Sequence, residues 1–537
     1  MTDLHRLTIA ESSRLIGDRK LSPYELTRAL IDRAVALDGQ IHSFITPTFE
    51  SALATARTAE ADIMAGRYRG PLHGISYGVK DLFYTNGVLT TGNSRVGSEH
   101  IPSYDATVVE QLSRAGAILL GKQTAHELAH GGPSPELPWP LARNPWDTSC
   151  SPGGSSSGSG AAVASGFMPM SMGTDTGGSV RGPAALCGLV GLKPTYGRVS
   201  RYGVIPHSFS MDHSGPITRT IEDCALVLQA IAGFDPRDPA SADERVPDYS
   251  LELNGDIRGM RIGVLRHLWE EDTVVTEELS FATEEALKVL RSLGARTEDA
   301  RIRHPEVYSD VKTVICESEA FAVQRTNLRN RVVDFGDHYR NQILRALYFQ
   351  GSDFIRAQRA RRMLTREMRE VYQKFDVLLT IGRGPAVTLN SMIAKGHSRS
   401  PNLTAPFNVT GLPAVMLCCG FSRKGLPMGM QMAAAPFAEA RLFRVAHAYQ
   451  QATGWHLECA NLQKGAQVEP IQAPEAPMHT AAAEDCETAF RLARLAGIAL
   501  GERHLNDLAL WGREAREIAA RIPDSPWEEE PASVFYA

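Results

Sequence analysis

Apolar residues in the first part of the chain lie three or four positions apart. This spacing predicts helices within residues 8–38 and over residues 50–64, the first with the apolar series Leu26, Leu30, Ile31 and Ala34. Ser22 is followed by Pro23. This pair is typical of a helix start, because serine accepts from free N–H groups and proline fits the first turn.

From Leu72 onward the pattern changes to short apolar runs that alternate with helical stretches. GISYGVK and AILLG predict buried strands, and ATVVEQLSRAG between them predicts a helix. Similar patterns predict strands at 261–266, 376–382, 414–421 and 428–435, and helices at 276–293 and 355–374. Because alternating strands and helices are typical of α/β proteins, the sequence predicts an α/β core.

The apolar periodicity stops after Trp455. Residues 461–483 are rich in Ala, Gln and Pro, which is typical of a linker. Beyond them, two amphipathic stretches predict a helical hairpin. We therefore expect a core over 1–460, a linker over 461–483 and a helical C-terminal segment over 484–537. Two helices bury little surface alone, so the hairpin is expected to dock on a surface or to act as a coiled-coil or dimerisation element.

Composition excludes several classes of protein. The 537 residues carry a formal net charge of −5, which argues against a dedicated nucleic-acid-binding protein. No run reaches the ~18 apolar residues that span a bilayer, and the start has no signal-peptide pattern. The eight cysteines form no CxxC pair, so we expect no disulfide framework and a cytoplasmic location.

Candidate chemistry is concentrated in residues 151–182, which contain GGSSSGSG and GTDTGGSVRG separated by small residues. A Gly/Ser-rich run alone is often only a linker. A phosphate loop would need GxxxxGK[ST], and a hydrolase elbow would need G-x-S-x-G around Ser179; neither pattern is present. The remaining interpretation is a serine nucleophile within a loop of backbone N–H donors.

Ser179 is the candidate nucleophile. It follows two glycines, so successive N–H groups can point at a developing oxyanion; the candidate donors are those of Thr176, Gly177, Gly178 and Ser179. A serine nucleophile needs a base, and this motif contains no histidine. The candidate base is Lys80, because burial at the end of an apolar run would lower its pKa; an ordinary surface lysine is the alternative.

Three stretches follow one another in the chain: GVKDLF, SPGGSSSGSGAAVASG and GTDTGGSVRGPAALCGLVGLKPTYGRVS; FNVTGLPAVMLCCGFSRKGLPMGMQM comes later. In this order they resemble the amidase signature family of serine hydrolases. The resemblance extends over residues 8–456, so the 1–460 part is expected to be the catalytic domain. It implies an α/β fold with a large mixed β-sheet core covered by helices, to which the C-terminal helical hairpin is added.

The resemblance also implies a Ser–Ser–Lys triad that uses no metal and no cofactor. Lys80 would be the base, Ser155 the bridging serine after a cis peptide bond, and Ser179 the nucleophile that forms an acyl-enzyme. The residues expected to support this loop are Asp175, Arg181 and Ser156.

Residues 126–130 read HELAH, a literal H-E-x-x-H zinc motif. We expect no zinc site, because Gly131, Gly132 and Pro133 would end the helix that such a motif needs. Arg383 departs from a stretch that is uncharged in many members of the family. It is expected either at the surface or in the pocket, holding a substrate carboxylate or carbonyl; further pocket candidates are Tyr77, Leu128 and His207.

The expected activity is hydrolysis of a small-molecule amide, with a ureido, biuret-like or carboxylated amide favoured. The C-terminal hairpin is similar to small helical partner proteins, of which one group accompanies ureido and biuret-type hydrolases and another the tRNA-dependent amidotransferase. His213 stands where the glutaminase subunit of that amidotransferase has glutamine, which disfavours this alternative. The expected partners are therefore a small amide and a second copy of the chain at the hairpin, with no nucleic acid and no membrane. A non-catalytic scaffold is the third hypothesis.

Overall fold

The computed structural model describes residues 3–395, 402–472 and 480–525. Within them the chain forms one mixed β-sheet. Its strands β1 to β11, in chain order, are Phe44–Pro47, Ser76–Lys80, Ile118–Gln123, Met170–Asp175, Val190–Lys193, His213–Thr218, Arg261–Val264, Arg296–Asp299, Val377–Arg383, Ala414–Phe421 and Pro427–Ala434. Their spatial order is β1-β3-β2-β4-β6-β5-β10-β11-β9-β7-β8. The large mixed sheet expected from the family resemblance is confirmed.

Helices cover this sheet and extend beyond it. The α-helices α1 to α17, in chain order, are Ile9–Gly17, Pro23–Leu37, Phe49–Met64, Thr107–Arg114, Ser157–Ala164, Arg181–Cys187, Ile221–Ile231, His267–Glu270, Glu277–Ser292, Pro305–Arg331, Asp337–Leu344, Gly351–Tyr372, Leu389–Lys395, Ala405–Val409, Glu439–Thr453, Ala483–Ala496 and Glu502–Arg521. The predicted start of α2 is confirmed, because the Ser22 side chain accepts from the backbone N–H groups of Tyr24 and Glu25.

Parallel pairing in the middle of the sheet brings two distant segments together. β2 lies between β3 and β4 and is parallel to both, with Val79 opposite Met172. Parallel neighbours end at the same edge of a sheet. Lys80 at the end of β2 and Asp175 at the end of β4 are therefore placed at one edge, although 94 positions separate Lys80 from Thr174.

Small residues allow α5 to pack closely beside this edge. Among them are two helical glycines, Gly158 and Gly160. A Cβ on Gly158 would lie 2.5 Å from the Ser43 carbonyl oxygen, and a Cβ on Gly160 would lie 2.9 Å from Pro183 Cβ. The Gly/Ser-rich run is therefore a tightly packed, buried helix, and the linker interpretation of GGSSSGSG is wrong.

Residues 461–472 run along the surface of the core, where their backbone carbonyls accept hydrogen bonds. The Gln40 side chain donates to the carbonyl of Gln463 at 2.9 Å, and the Arg143 side chain donates to that of Glu469 at 2.7 Å. This part of the predicted linker is thus attached to the core, while residues 473–479 lie outside the described residues. The three-part division of the chain remains our proposal.

The C-terminal helices α16 and α17 form the predicted hairpin, and their apolar face packs against the chain's own α10 and α11. The shared cluster, which we call the hairpin interface, contains Leu128, Leu328, Val332, Tyr339, Ile343, Leu344, Ala489, Ala493, Ile498, Leu508 and Ala509. The hairpin therefore docks within its own chain, and this apolar face is not available for the expected homodimer contact.

Charged groups also join α17 to α10. Arg345 pairs with Glu317 of α10 and lies 3.1 Å from Glu514 of α17. Burial raises the pKa of Glu317 to about 7, although the charge of Arg345 opposes this rise. Further along, the Arg521 guanidinium donates to the buried Asp310 carboxylate of α10 at 2.8 Å.

None of the described helices combines the length and the apolar character needed to cross a membrane.

Candidate active site

Lys80 is fully buried at the sheet edge, and its ammonium nitrogen contacts two hydroxyl groups. Nζ lies 2.7 Å from Ser155 Oγ and 2.8 Å from Thr174 Oγ1. Burial lowers the pKa of Lys80 to about 7, while the negative charges of Asp212 and Asp175 partly oppose this. A large fraction of this lysine is therefore neutral near pH 7 and able to accept a proton.

Ser155 follows a cis peptide bond with Gly154. A Cβ on Gly154 would lie only 2.0 Å from Cε1 of His126, so a side chain at this position would collide with the imidazole ring. The ring is buried, and burial followed by the charge of Lys80 lowers the pKa of His126 to about 3. A neutral histidine thus packs against the turn that presents the Ser155 hydroxyl to Lys80.

Ser179 lies on the loop between β4 and α6 and is partly exposed to solvent. Its backbone carbonyl accepts from the Ser156 N–H at 3.2 Å, which joins the two glycine-rich loops. Within the described part of the chain the Ser179 hydroxyl has no hydrogen-bond partner. The structure thus brings Lys80 and Ser155 into direct contact, and it shows no hydrogen bond between the Ser179 and Ser155 hydroxyls.

The N–H groups of the loop are not equivalent. The Gly178 N–H donates to Asp175 Oδ1 at 2.8 Å, so the prediction of Gly178 as an oxyanion donor is revised. The N–H groups of Thr176, Gly177 and Ser179 make no hydrogen bond to any described residue. These three remain as candidate donors to an oxyanion.

Asp175 and Arg181 hold the loop from its two ends. Arg181 donates to both carboxylate oxygens of Asp175, at 3.0 and 2.9 Å, and both side chains are fully buried. The same guanidinium donates to Gln431, to Asn408 and to the Thr404 carbonyl. Despite its burial, Asp175 has a pKa well below its ordinary value, chiefly because of Arg181. Asp175 precedes Ser179 in the chain and Arg181 follows it. Their bidentate ion pair, with all its hydrogen bonds made, therefore fixes the position of the loop that carries Ser179.

The predicted supporting residue Ser156 lies under the loop, where its hydroxyl donates to the Thr174 carbonyl at 3.3 Å. Two other hydroxyl groups escaped prediction. Thr174 contacts Lys80 directly, and its place within GTDTGGS was the available signal. Thr404 donates to the Gly177 carbonyl at 2.6 Å, but no motif connects it with a loop more than 220 positions earlier.

The four predicted pocket residues occupy different places. Tyr77 is buried in the main hydrophobic core, and Leu128 is buried in the hairpin interface. Both stay predictions as pocket residues. His207 is buried, and burial followed by the charges of Lys312 and Lys80 lowers its pKa to about 3. It therefore lies close to the site as a neutral ring.

Arg383 is exposed at the end of β9, and its guanidinium lies over the first turn of α6. A Cβ on Gly182 would lie 3.3 Å from one terminal nitrogen of Arg383 and 3.6 Å from the Gly154 carbonyl oxygen. Arg383 thus lies close to the turn that carries Ser155. It is also close to Gly182, which comes three residues after Ser179 in the chain.

The HELAH segment does not form the helix of a zinc motif. Only Glu127–Ala129 are helical, as a single 3₁₀ turn, and Leu128 has a φ of 45°. The Glu127 carboxylate accepts from the Ser94 hydroxyl and from the Gly336 N–H. No group of three or more metal-binding side chains occurs among the described residues. This glutamate therefore joins three loops, and the two histidines do not share one helical face.

Three comparisons place the chain among known proteins. It is 40% identical to the subunit designated A of the glutamyl-tRNA(Gln) amidotransferase of Chloroflexus aggregans, over 86% of this chain and all of the relative. The crystal structure of the corresponding subunit from Thermotoga maritima has a TM-score of 0.69 and 32% identity, covering 84% of this chain and 96% of the other. A structure described as a vestigial complex related to an s-triazine catabolic enzyme has a TM-score of 0.78 and 31% identity, covering 85% and 100%.

These relatives overturn the expected main activity. The expected reaction was hydrolysis of a small-molecule amide, with a ureido, biuret-like or carboxylated amide favoured. His213 disfavoured the glutaminase alternative, and the hairpin resembled partners of ureido and biuret-type hydrolases. The structure shows this histidine in β6, with its ring nitrogen bonded to the carbonyls of Met211 and Asp175. It is a buried group within the sheet, so its identity carries little information about the substrate. The full-length amidotransferase relatives support the alternative instead.

The expected partners need the same correction. A small amide with no nucleic acid was inferred from a net charge of −5. The relatives, however, are subunits of enzymes named for a transfer RNA, which implies protein and RNA partners. Net charge failed as a guide because it describes one chain, whereas one member of a complex can receive its RNA on a neighbouring member.

The family of the chain follows from a match to a family model. The family model described as Amidase matches residues 25–443, which include Lys80, Ser155 and Ser179, and stops before the C-terminal hairpin. The described strands and the identities reported above agree with that match. The chain belongs to the amidase signature family and is an amidohydrolase.

Proposed function

We propose that this chain is the glutaminase-type subunit of a tRNA-dependent amidotransferase. It would hydrolyse the side-chain carboxamide of glutamine and supply ammonia for amidation of an aminoacyl-tRNA. The observation that carries the proposal is the 2.7 Å contact between Lys80 Nζ and Ser155 Oγ, next to Ser179, in a chain that covers the amidotransferase relatives over their full length. A cytoplasmic location fits this role.

The proposed mechanism starts from neutral Lys80. Lys80 accepts the proton of Ser155 as Ser155 accepts that of Ser179, and Ser179 Oγ attacks the carboxamide carbon. The free N–H groups of the loop stabilise the oxyanion, namely those of Thr176, Gly177 and Ser179. The proton then passes to the departing nitrogen, which leaves as ammonia, and Ser179 remains as a γ-glutamyl ester. Attack by water on this ester releases glutamate and restores the serine.

Arg383 retains its predicted role as a proposed carboxylate-binding residue. Its position close to Gly154 and Gly182, which lie next to the loops of Ser155 and Ser179, supports this role. The resemblance of the C-terminal hairpin to small partner proteins of the amidotransferase gives that segment a second proposed role. The hairpin would take the place, within the same chain, of a small partner protein that is a separate subunit in other amidotransferases.

The test is ammonia release from L-glutamine by the purified chain. We expect slow release alone and faster release when the remaining subunits of the Chloroflexus aggregans enzyme and glutamyl-tRNA are added. Ser179→Ala should lower the rate at least ~1,000-fold, as loss of a serine nucleophile does in other hydrolases. Ser98→Ala, an exposed serine outside the site, is the matched control and should behave as wild type. Release that is absent in both conditions would contradict the proposal.

A further inference from the structure

Lys312 on α10 extends to the nucleophile loop. A Cβ on Gly177 would lie 3.0 Å from Lys312 Cε and 3.5 Å from its Nζ, so the end of the side chain lies over this glycine. Lys312, Gly177 and Ser179 are each partly exposed, whereas most neighbouring residues are buried. The end of the lysine side chain and the nucleophile loop are therefore both accessible to solvent and lie close together.

The ammonium group of Lys312 has no counter-ion in the part of the chain that the structure describes. Across residues 3–395, 402–472 and 480–525 it forms no hydrogen bond and no ion pair. The acids near it have other partners. Asp175 is paired with Arg181, and Glu317 is paired with Arg345. Asp212 accepts from the Thr176 hydroxyl and from two backbone N–H groups.

Two cationic side chains thus flank the nucleophile loop. The end of Lys312 lies close to Gly177, before Ser179 in the chain, and the end of Arg383 lies close to Gly182, after it. Arg383 likewise forms no hydrogen bond or ion pair with the described residues. Two cations without counter-ions close to the nucleophile attract an anionic ligand more strongly than a neutral one. A neutral amide would offer neither charge a partner.

We propose that Lys312 binds a carboxylate of the amide substrate and thereby sets the preference of this site for anionic amides. The inference rests on the proposed function only in that the substrate is a carboxamide cleaved at Ser179. For glutamine the bound group would be the α-carboxylate, which Lys312 would hold together with Arg383. Lys312 is a positioning residue here, because it holds the part of the substrate that does not react.

The test compares glutaramate with valeramide, a neutral amide of the same chain length. Wild type should have a higher kcat/KM for glutaramate, and Lys312→Met should reduce this preference ~10–100-fold, the value of one charge-assisted hydrogen bond. The loss should appear in KM, with kcat changed less than about threefold. Lys312→Arg should retain most of the preference. Lys288→Met, an exposed lysine paired with Glu285, is the matched control and should retain all of it.

A second measurement separates binding from folding. The rate at which a small neutral fluorophosphonate labels Ser179 should be nearly equal in wild type and Lys312→Met, because this probe has no carboxylate. An unchanged glutaramate preference in Lys312→Met would overturn the role of Lys312 and leave the glutaminase proposal intact. A preference that depends on Lys312 in a protein that does not hydrolyse glutamine would support Lys312 and contradict the glutaminase proposal. Equal cleavage of both amides by wild type would overturn the inference directly.

Discussion

At the scale of single residues, the site depends on a lysine that is buried without a carboxylate in contact. Its two hydrogen-bond partners are neutral hydroxyl groups, those of Ser155 and Thr174. Neutral partners do little to stabilise a positive charge, so burial dominates and lowers the pKa of Lys80 to about 7. A nearby ion pair would have raised this pKa and removed the base.

This pKa predicts the pH dependence of the enzyme. The active form carries neutral Lys80, which is the form above the pKa, so kcat/KM should fall as the pH falls through about 7. Each pH unit below it should cost about tenfold, with a plateau above pH 8. The measurement is the rate of Ser179 labelling by a fluorophosphonate between pH 5 and 9. Lys80→Ala should lower this rate ~10²–10⁴-fold and remove the inflection of the pH–rate profile near pH 7. If the variant keeps this inflection, the titrating group is not Lys80.

The sequence is informative about this site where the residues lie close together in the chain. Ser155, Ser179 and Asp175 all fall within one glycine-rich stretch, and Lys80 ends an apolar run, so chemistry and pattern coincide. Lys312 and Thr404 reach the same loop from distant helices and turns. Neither has a motif, because their positions depend on how α10 and α14 pack and not on any local pattern.

At the scale of secondary structure, close packing of α5 is what places the bridging serine. The helix begins at Ser157, two residues after Ser155, and its glycines allow contact with the β3 end and with α6. The apolar patterns predicted several of the helices and strands, for example β2, β9 and α9, because these follow from local periodicity. They did not predict that a Gly/Ser-rich run is a buried helix, because glycine is a poor helix former and only tertiary contacts favour it here.

Gly158→Ala tests this packing. A Cβ at this position would lie 2.5 Å from the Ser43 carbonyl and 2.7 Å from the Thr124 backbone nitrogen, neither of which can rotate away. We expect a loss of ~1–3 kcal/mol in the free energy of unfolding, even though alanine favours helices. Gly39→Ala is the control, because no other atom lies within 4 Å of the added Cβ. Urea unfolding measures the stability of both variants. Equal unfolding midpoints for Gly158→Ala and Gly39→Ala would mean that α5 can shift to make room for the added Cβ.

At the scale of the whole molecule, the C-terminal hairpin and the catalytic domain share α10. The hairpin packs on one part of this helix through the hairpin interface and bonds to Asp310 through Arg521. Lys312, two residues further on, extends to the nucleophile loop. The hairpin is therefore expected to affect the active site through the position of α10, although the family match ends before it.

Two substitutions within the hairpin test this dependence. Leu508 is fully buried in the hairpin interface, whereas Leu495 is 83% exposed. Leu508→Asp places an unpaired carboxylate in an apolar cluster and should cost ~3 kcal/mol or more, with a lower Tm and a lower kcat/KM for glutaramate. Leu495→Asp should leave both within error. A lower Tm with an unchanged kcat/KM would show that the hairpin stabilises the protein but does not position α10.

The hairpin and the catalytic domain belong to one polypeptide chain. The fraction of molecules in which the hairpin covers α10 therefore does not depend on the protein concentration, as it would for a separate subunit. A separate partner dissociates on dilution, whereas a tethered one returns at an effective concentration in the ~millimolar range. Each active site carries one copy of the hairpin at every protein concentration. The specific activity of this enzyme should consequently stay constant on dilution into the nanomolar range, where a two-chain enzyme with micromolar affinity would have lost its partner.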